Sequence, residues 1–235
     1  MIILCLFFTE IDSLKNLIAI KLEYQYIIEL NNAYLKSGLF DSANDCLKKY
    51  EERFGFEEQA GINYLLGENL FFKGELLSAR EQYLKTVARF SSARYANEAL
   101  ERLYLFESAR KDTILLKRLA KSIYLYEINE LKPAEDSLKK LIKTGLGDFA
   151  LFYLSLAYDK KNEFNQALSA LEELKKEFPA NRIHRAKILV AEVYIKMGKL
   201  QEGIKILEEL VIKYPNSPIG IRAREILKKY QPPER

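Results

Sequence analysis

Residues 152–179 read FYLSLAYDKKNEFNQALSALEELKKEFP, and residues 188–215 read ILVAEVYIKMGKLQEGIKILEELVIKYP. Laid over each other, the two stretches share one pattern. A tyrosine (Tyr158, Tyr194) is followed by Asn162 or Gly198, then by a small residue (Ala167, Gly203), a leucine (Leu171, Leu207) and a proline (Pro179, Pro215). The tyrosines stand 194 − 158 = 36 residues apart, and so do the prolines, at 215 − 179 = 36.

The same pattern recurs upstream. Tyr34, Gly38, Ala43 and Leu47 carry it; so do Leu70, Gly74, Ala79 and Tyr83; a weaker copy is Leu125, Asn129, Ala134 and Leu138. A period of this size marks stacked helical hairpins rather than one amphipathic helix. Gly38, Gly74 and Gly198 fall where a first helix would end, and glycine accepts the left-handed conformation used there. Pro179 and Pro215 would stop the second helix, because proline lacks the amide donor and clashes one turn back.

These residues resemble the tetratricopeptide repeat, whose positions 8 and 20 are small, 11 is tyrosine, 24 is apolar or aromatic and 32 is proline. The copy at 184–217 places Ala191, Tyr194, Gly203, Leu207 and Pro215 there, and the copy at 148–181 places Ser155, Tyr158, Ala167, Leu171 and Pro179. At 60–93 the tyrosine and proline are replaced by Leu70 and Ser91; a copy near 115–147 is degenerate. The resemblance implies an all-α fold: a right-handed α-solenoid of antiparallel helix pairs. The expected division is an apolar N-terminal segment and the start of the first helix (1–23), two repeats (24–93), an extra helix plus the degenerate repeat (94–147), two repeats (148–217), and a capping helix with tail (218–235). The extra helix, Ala93 to Arg110, offers Ala96, Leu100, Leu103 and Phe106; the capping helix offers Ile219, Ala223, Ile226 and Leu227.

Composition agrees with a helical protein. Of 235 residues, 49% are hydrophobic and 30% charged, while Gly (10) and Pro (6) are too scarce for many sheet turns. The net charge, 37 − 33 = +4, is mild and spread along the sequence. Basic clusters at Arg110-Lys111, Lys117-Arg118-Lys121, Arg182/Arg185 and Arg222–Lys229 are interleaved with acids, which disfavours a nucleic-acid partner. Cys5 and Cys46 define no disulfide framework. Ile2 to Phe8 is an apolar run without a basic start or a small-residue cleavage site, so it is either a remnant of an export signal or an apolar edge of the first helix. No run is long enough to span a membrane. The junctions Phe178-Pro179-Ala180-Asn181 and Tyr214-Pro215-Asn216-Ser217 look like those of bacterial cell-envelope repeat proteins, such as outer-membrane assembly lipoproteins and the Tol–Pal-associated factor. The compartment is therefore periplasmic or envelope if the apolar run is an export remnant, and otherwise cytoplasmic.

Enzyme chemistry finds no footing. The single histidine, His184, has no partner at metal or triad spacing. No glycine-rich phosphate loop or dinucleotide fingerprint occurs, and no cofactor or metal is expected. Carboxylate pairs at Glu51-Glu52, Glu57-Glu58, Glu172-Glu173 and Glu208-Glu209 fall on expected second helices, where adjacent residues diverge by about 100°.

The resemblance points instead to a concave groove lined by first helices. Its family positions map to Ile28, Asn32 and Leu35, to Tyr64, Glu68, Phe71 and Phe72, to Ile123 and Tyr126, to Phe152, Leu156 and Asp159, and on the last copy to Arg185, Ile188, Glu192 and Lys196. Such a surface suits a partner helix or peptide anchored by apolar side chains. The competing reading has Tyr64, Phe71, Phe72 and Phe152 packing against neighbouring repeats. The carboxylate clamp of chaperone-tail-binding members is disfavoured, because Ile28 and Glu68 stand where it needs a cation or amide. The expected function is a non-enzymatic protein-interaction scaffold; the alternative is a structural subunit or assembly factor of an envelope complex, contacting partners through its apolar N-terminal helix or convex face.

Overall fold

The structure is a computed structural model describing residues 2–110 and 112–230, without the side chains of residues 2–8. Thirteen α-helices and one short 3₁₀ turn, with no strand, make up the described residues. They fall into two compact units, residues 1–129 and 130–235. The division lies inside the degenerate copy, so its two helices belong to different units.

The first unit holds α1 (Ile2–Ile20), α2 (Tyr24–Lys36), α3 (Phe40–Tyr50), the 3₁₀ turn Glu51–Arg53, α4 (Phe56–Lys73), α5 (Leu76–Arg89), α6 (Arg94–Ser108) and α7 (Thr113–Glu127). Helix α2 pairs with α3 and α4 with α5, while α6 packs on both α4 and α5. The second unit holds α8 (Leu131–Lys139), α9 (Gly147–Lys160), α10 (Phe164–Glu177), α11 (Arg185–Lys196), α12 (Leu200–Lys213) and α13 (Pro218–Leu227). There α9 pairs with α10 and α11 with α12, and α13 closes against α12.

The periodic residues perform one local task each. Gly38, Gly74, Asn129, Asn162 and Gly198 all adopt positive φ, between 60° and 86°. The amide just after the turn residue donates back to the residue at the tyrosine position: Leu39 to Tyr34, Glu75 to Leu70, Glu163 to Tyr158 and Lys199 to Tyr194, at 2.9–3.0 Å. That six-to-one bond satisfies a carbonyl which the helix end would otherwise orphan. Asparagine substitutes for glycine because its short polar side chain tolerates the left-handed region. The small residues mark close helix contact. Ala43, Ala79, Ala134 and Ala167 are fully buried. A Cβ on Gly203 would lie 2.8 Å from the Ala191 carbonyl oxygen. Helices α10 and α12 end at Glu177 and Lys213, just before Pro179 and Pro215.

Helix α6 corrects the sequence reading. Its buried stripe is Ala96, Ala99, Arg102 and Leu105, and Leu100 is 49% exposed. A buried arginine broke the apolar pattern and shifted the inferred face. Arg110 also has positive φ, 36 residues after Gly74, so α6 occupies a first-helix place in the period. The fold then departs from the repeat: α7, capped by Asp112 accepting from the Leu115 amide, packs on α4. The Tyr124 hydroxyl donates to the Leu35 carbonyl at 2.8 Å, and its ring lies 5.3 Å from Phe40 and 5.8 Å from Phe72. All three contacts sit at the turn ends of the first two hairpins.

Helix α13 buries Ile219, Ala223, Ile226 and Leu227, and Ser217 accepts from the Gly220 amide ahead of Pro218. The apolar run Ile2 to Phe8 belongs to α1 by its backbone, but its side chains, Lys111 and the tail 231–235 lie outside the described residues. Among the described residues no helix is long and apolar enough to cross a membrane.

Candidate protein-binding surface

The groove residues expected on the first four copies separate by accessibility. In the first unit, Asn32 is exposed and Ile28, Tyr64 and Tyr126 are half-buried. Leu35, Phe71, Phe72 and Ile123 are buried, Phe71 and Ile123 completely. The Phe71 ring lies 5.8 Å from Phe106 of α6 and 6.1 Å from Phe72. Tyr64 lies between Tyr83 and Tyr95, with centroids 6.0 and 5.7 Å away. The aromatic side chains that read as peptide anchors thus meet α5, α6 and α7 of the same unit.

Glu68 has an internal partner. Its carboxylate takes a two-pronged contact from the Arg102 guanidinium, with Nε at 2.6 Å from Oε1 and Nη2 at 2.5 Å from Oε2. The Tyr83 hydroxyl donates to the same carboxylate. All three residues are buried, and burial followed by the adjacent Glu68 charge pushes the Tyr83 hydroxyl pKa well up. The guanidinium also lies 5.7 Å from the Phe71 ring. This network ties α4, α5 and α6 together and explains an acidic residue at a groove position.

In the second unit, Phe152 is buried beneath Arg185, whose guanidinium lies 5.2 Å from its ring centroid. Leu156 and Asp159 are half-buried. The Lys196 ammonium binds Asp159 Oδ2 at 2.5 Å, while Asp159 Oδ1 is buried with no hydrogen-bond partner among the described residues. One turn before Lys196 sits Glu192, whose carboxyl pKa is raised by burial, with Arg222 and Lys196 opposing that rise. Glu192 and Lys196 stand at the groove positions expected of the last copy, whereas Arg222, read only as part of a basic cluster, was not expected on this surface.

The remaining chemical candidates are dispersed. His184 is exposed at the start of α11, and Cys46 is buried, its thiol pKa pushed up to about 11 by desolvation. Glu51-Glu52 lies in the 3₁₀ turn and Glu57-Glu58 in the first turn of α4, not on second helices; Glu51 instead binds Arg89 at 2.9 Å. Among the described residues no cluster of His, Cys, Asp and Glu could hold a metal ion.

Together these features define an all-α protein of stacked helical hairpins whose turns and close contacts repeat residue by residue. Residues 149–181 and 186–217 match the tetratricopeptide repeat family model. These two segments are the hairpins α9–α10 and α11–α12. No curated protein matches the sequence. Solved structures similar to this protein include the TPR2AB domain of yeast Sti1 in complex with pHSP90, at 16% identity and TM-score 0.44, covering 94% of this chain and 89% of that one. BtubC from P. vanneervenii is similar at 15% identity and TM-score 0.40, covering 98% and 93%. The P58(IPK) TPR domain is similar at 14% identity and TM-score 0.40, covering 93% and 59%.

Proposed function

We propose that this protein is an interaction scaffold without enzymatic activity, which takes a partner helix or peptide on the first-helix face of its second unit. The observation that carries this reading is the pair of tetratricopeptide repeats at 149–181 and 186–217. Their first helices present half-exposed Leu156, the Asp159–Lys196 pair and the desolvated Glu192 side by side. Leu156 offers apolar contact, and the exposed Lys196 ammonium offers a charge. In the first unit only Ile28, Asn32, Tyr64 and Tyr126 of the expected set remain open to contact. The buried members Leu35, Glu68, Phe71, Phe72 and Ile123 shape that surface from beneath, and Phe152 does the same in the second unit. The test is co-purification from the source cells with the wild-type protein and with Leu156→Glu plus Lys196→Glu, folding being checked by circular dichroism. Loss of a specific partner from the folded variant supports the reading; equal recovery argues against it.

A second reading, a subunit held in a larger assembly through α1, is favoured by Leu17 and Ile20, which are 40% and 84% exposed on that helix. Its cell-envelope form rests on the junction residues alone. Mass measurement before and after removal of residues 1–9 tests it, and a monomer in both cases counts against it.

A further inference from the structure

The first unit carries a cleft of about 370 Å³ lined by α3, α4 and α5. Leu66 and Leu70 form an apolar strip one helical turn apart on α4. Asn44 and Lys48 of α3 stand on one side; Ser78, Glu81, Gln82 and Lys85 of α5 stand on the other. Ser78 and Lys85 are seven residues apart, so that wall runs for about 10 Å.

Three observations separate this cleft from an ordinary crevice. Asn44 is only 6% exposed, yet it lines the cleft. Its Oδ1 accepts from Asn69 Nδ2 at 3.1 Å, and its own Nδ2 makes no hydrogen bond among the described residues. That leaves an amide donor, held in place by the buried Asn31–Asn69–Asn44 network, facing the cleft. Gln82 is similarly anchored through its Nε2 to Asn63 at 3.0 Å, which leaves its Oε1 as an acceptor. Lys48 and Lys85 meet no carboxylate among the described residues, and Glu81 is the one acid on the walls. The net charge of the lining is therefore one positive.

We propose that this cleft is a second docking site, on the first unit, for a peptide carboxylate with an apolar neighbour. The apolar group lies on Leu66 and Leu70. The carboxylate sits between Lys48 and Lys85 and takes the Asn44 Nδ2 donor. A single carboxylate matches the charge, since Glu81 repels a second one. The carboxylate is that of an acidic side chain within the peptide, because the open cleft and its wall from Ser78 to Lys85 leave room for the chain to continue past it. The site is independent of the groove reading, because none of its residues belongs to the first-helix face.

The test uses the side-chain amide signals of Asn44 in the full-length protein, followed by NMR. The probes are acetyl-leucyl-glutamyl-amide, its glutaminyl counterpart, and acetyl-glycyl-leucine with a free C-terminus. Saturable shifts of Asn44 are expected with a carboxylate probe, and binding of the glutaminyl peptide is expected to be at least about fivefold weaker. Tighter binding of the free-terminus probe than of the glutamyl peptide would overturn the assignment to an acidic side chain. Lys48→Ala with Lys85→Ala, both exposed, should leave the helical spectrum intact and weaken binding by about fivefold or more. Shifts that never saturate, equal binding of the glutamyl and glutaminyl peptides, or undiminished binding by the double variant would each overturn the assignment.

Discussion

A methyl group added at Gly67 would lie 2.6 Å from the Tyr83 ring, closer than atoms of a packed core can stand. Gly67→Ala is therefore expected to cost about 1–3 kcal/mol, read from urea unfolding at unchanged slope. Phe71 is fully buried. Phe71→Ala should act on stability, by about 3–5 kcal/mol, with no selective loss of a partner at temperatures where the variant is still folded. Denaturation and co-purification on one preparation separate those effects.

Among elements, the link between α4 and α6 depends on a charge pair. Arg102→Met leaves the Glu68 carboxylate buried without its cation, and a loss of about 3–5 kcal/mol is expected. Replacing both, Glu68→Leu with Arg102→Met, should recover most of that loss, because two apolar groups avoid the desolvation of two ions. Chemical denaturation of the two variants checks the contrast. Helices α8 and α9 are joined differently. Glu135 accepts from Lys139 at 2.7 Å and Lys161 at 3.0 Å, and these hydrogen bonds hold its carboxyl down to about 2. A depressed carboxyl stabilises the fold above its unfolded value near 4.5 and loses that contribution as pH falls through about 2. The exposed lysines screen the pair, so Glu135→Gln should cost about 1–2 kcal/mol at neutral pH. The cost should vanish near the depressed value, which acid-unfolding curves of both proteins would record.

At the scale of the molecule, the division near residue 129 predicts two folding bodies. Residues 130–235 carry a core of their own, including Ile188, Leu207, Leu210, Ile226 and Leu227. Expressed alone, that segment should give a helical circular dichroism spectrum and a single cooperative melt. Residues 1–129 gather Ile11, Leu14, Ile18, Ile27, Leu47 and Ile62 into one cluster and should do likewise. A segment that stays unstructured would show that it depends on the rest of the protein.

Local rules made much of this molecule legible in its residues. A glycine or asparagine at a helix end, an alanine where two helices touch and a proline after the second helix each impose a backbone or steric constraint, which shows directly as a period of about three dozen. Side-chain exposure was not legible in the same way. Phe71, Phe72 and Phe152 carry the right residue type at groove positions, yet whether an aromatic ring meets solvent or a neighbouring helix depends on what packs over it. Arg102 looks like a surface residue until Glu68 is found beside it, and α7, which leaves the period, has Tyr124 meeting partners some fifty to ninety residues back. Contacts between residues so distant in sequence leave no local pattern, so only the tertiary structure could decide which of the expected surface was buried.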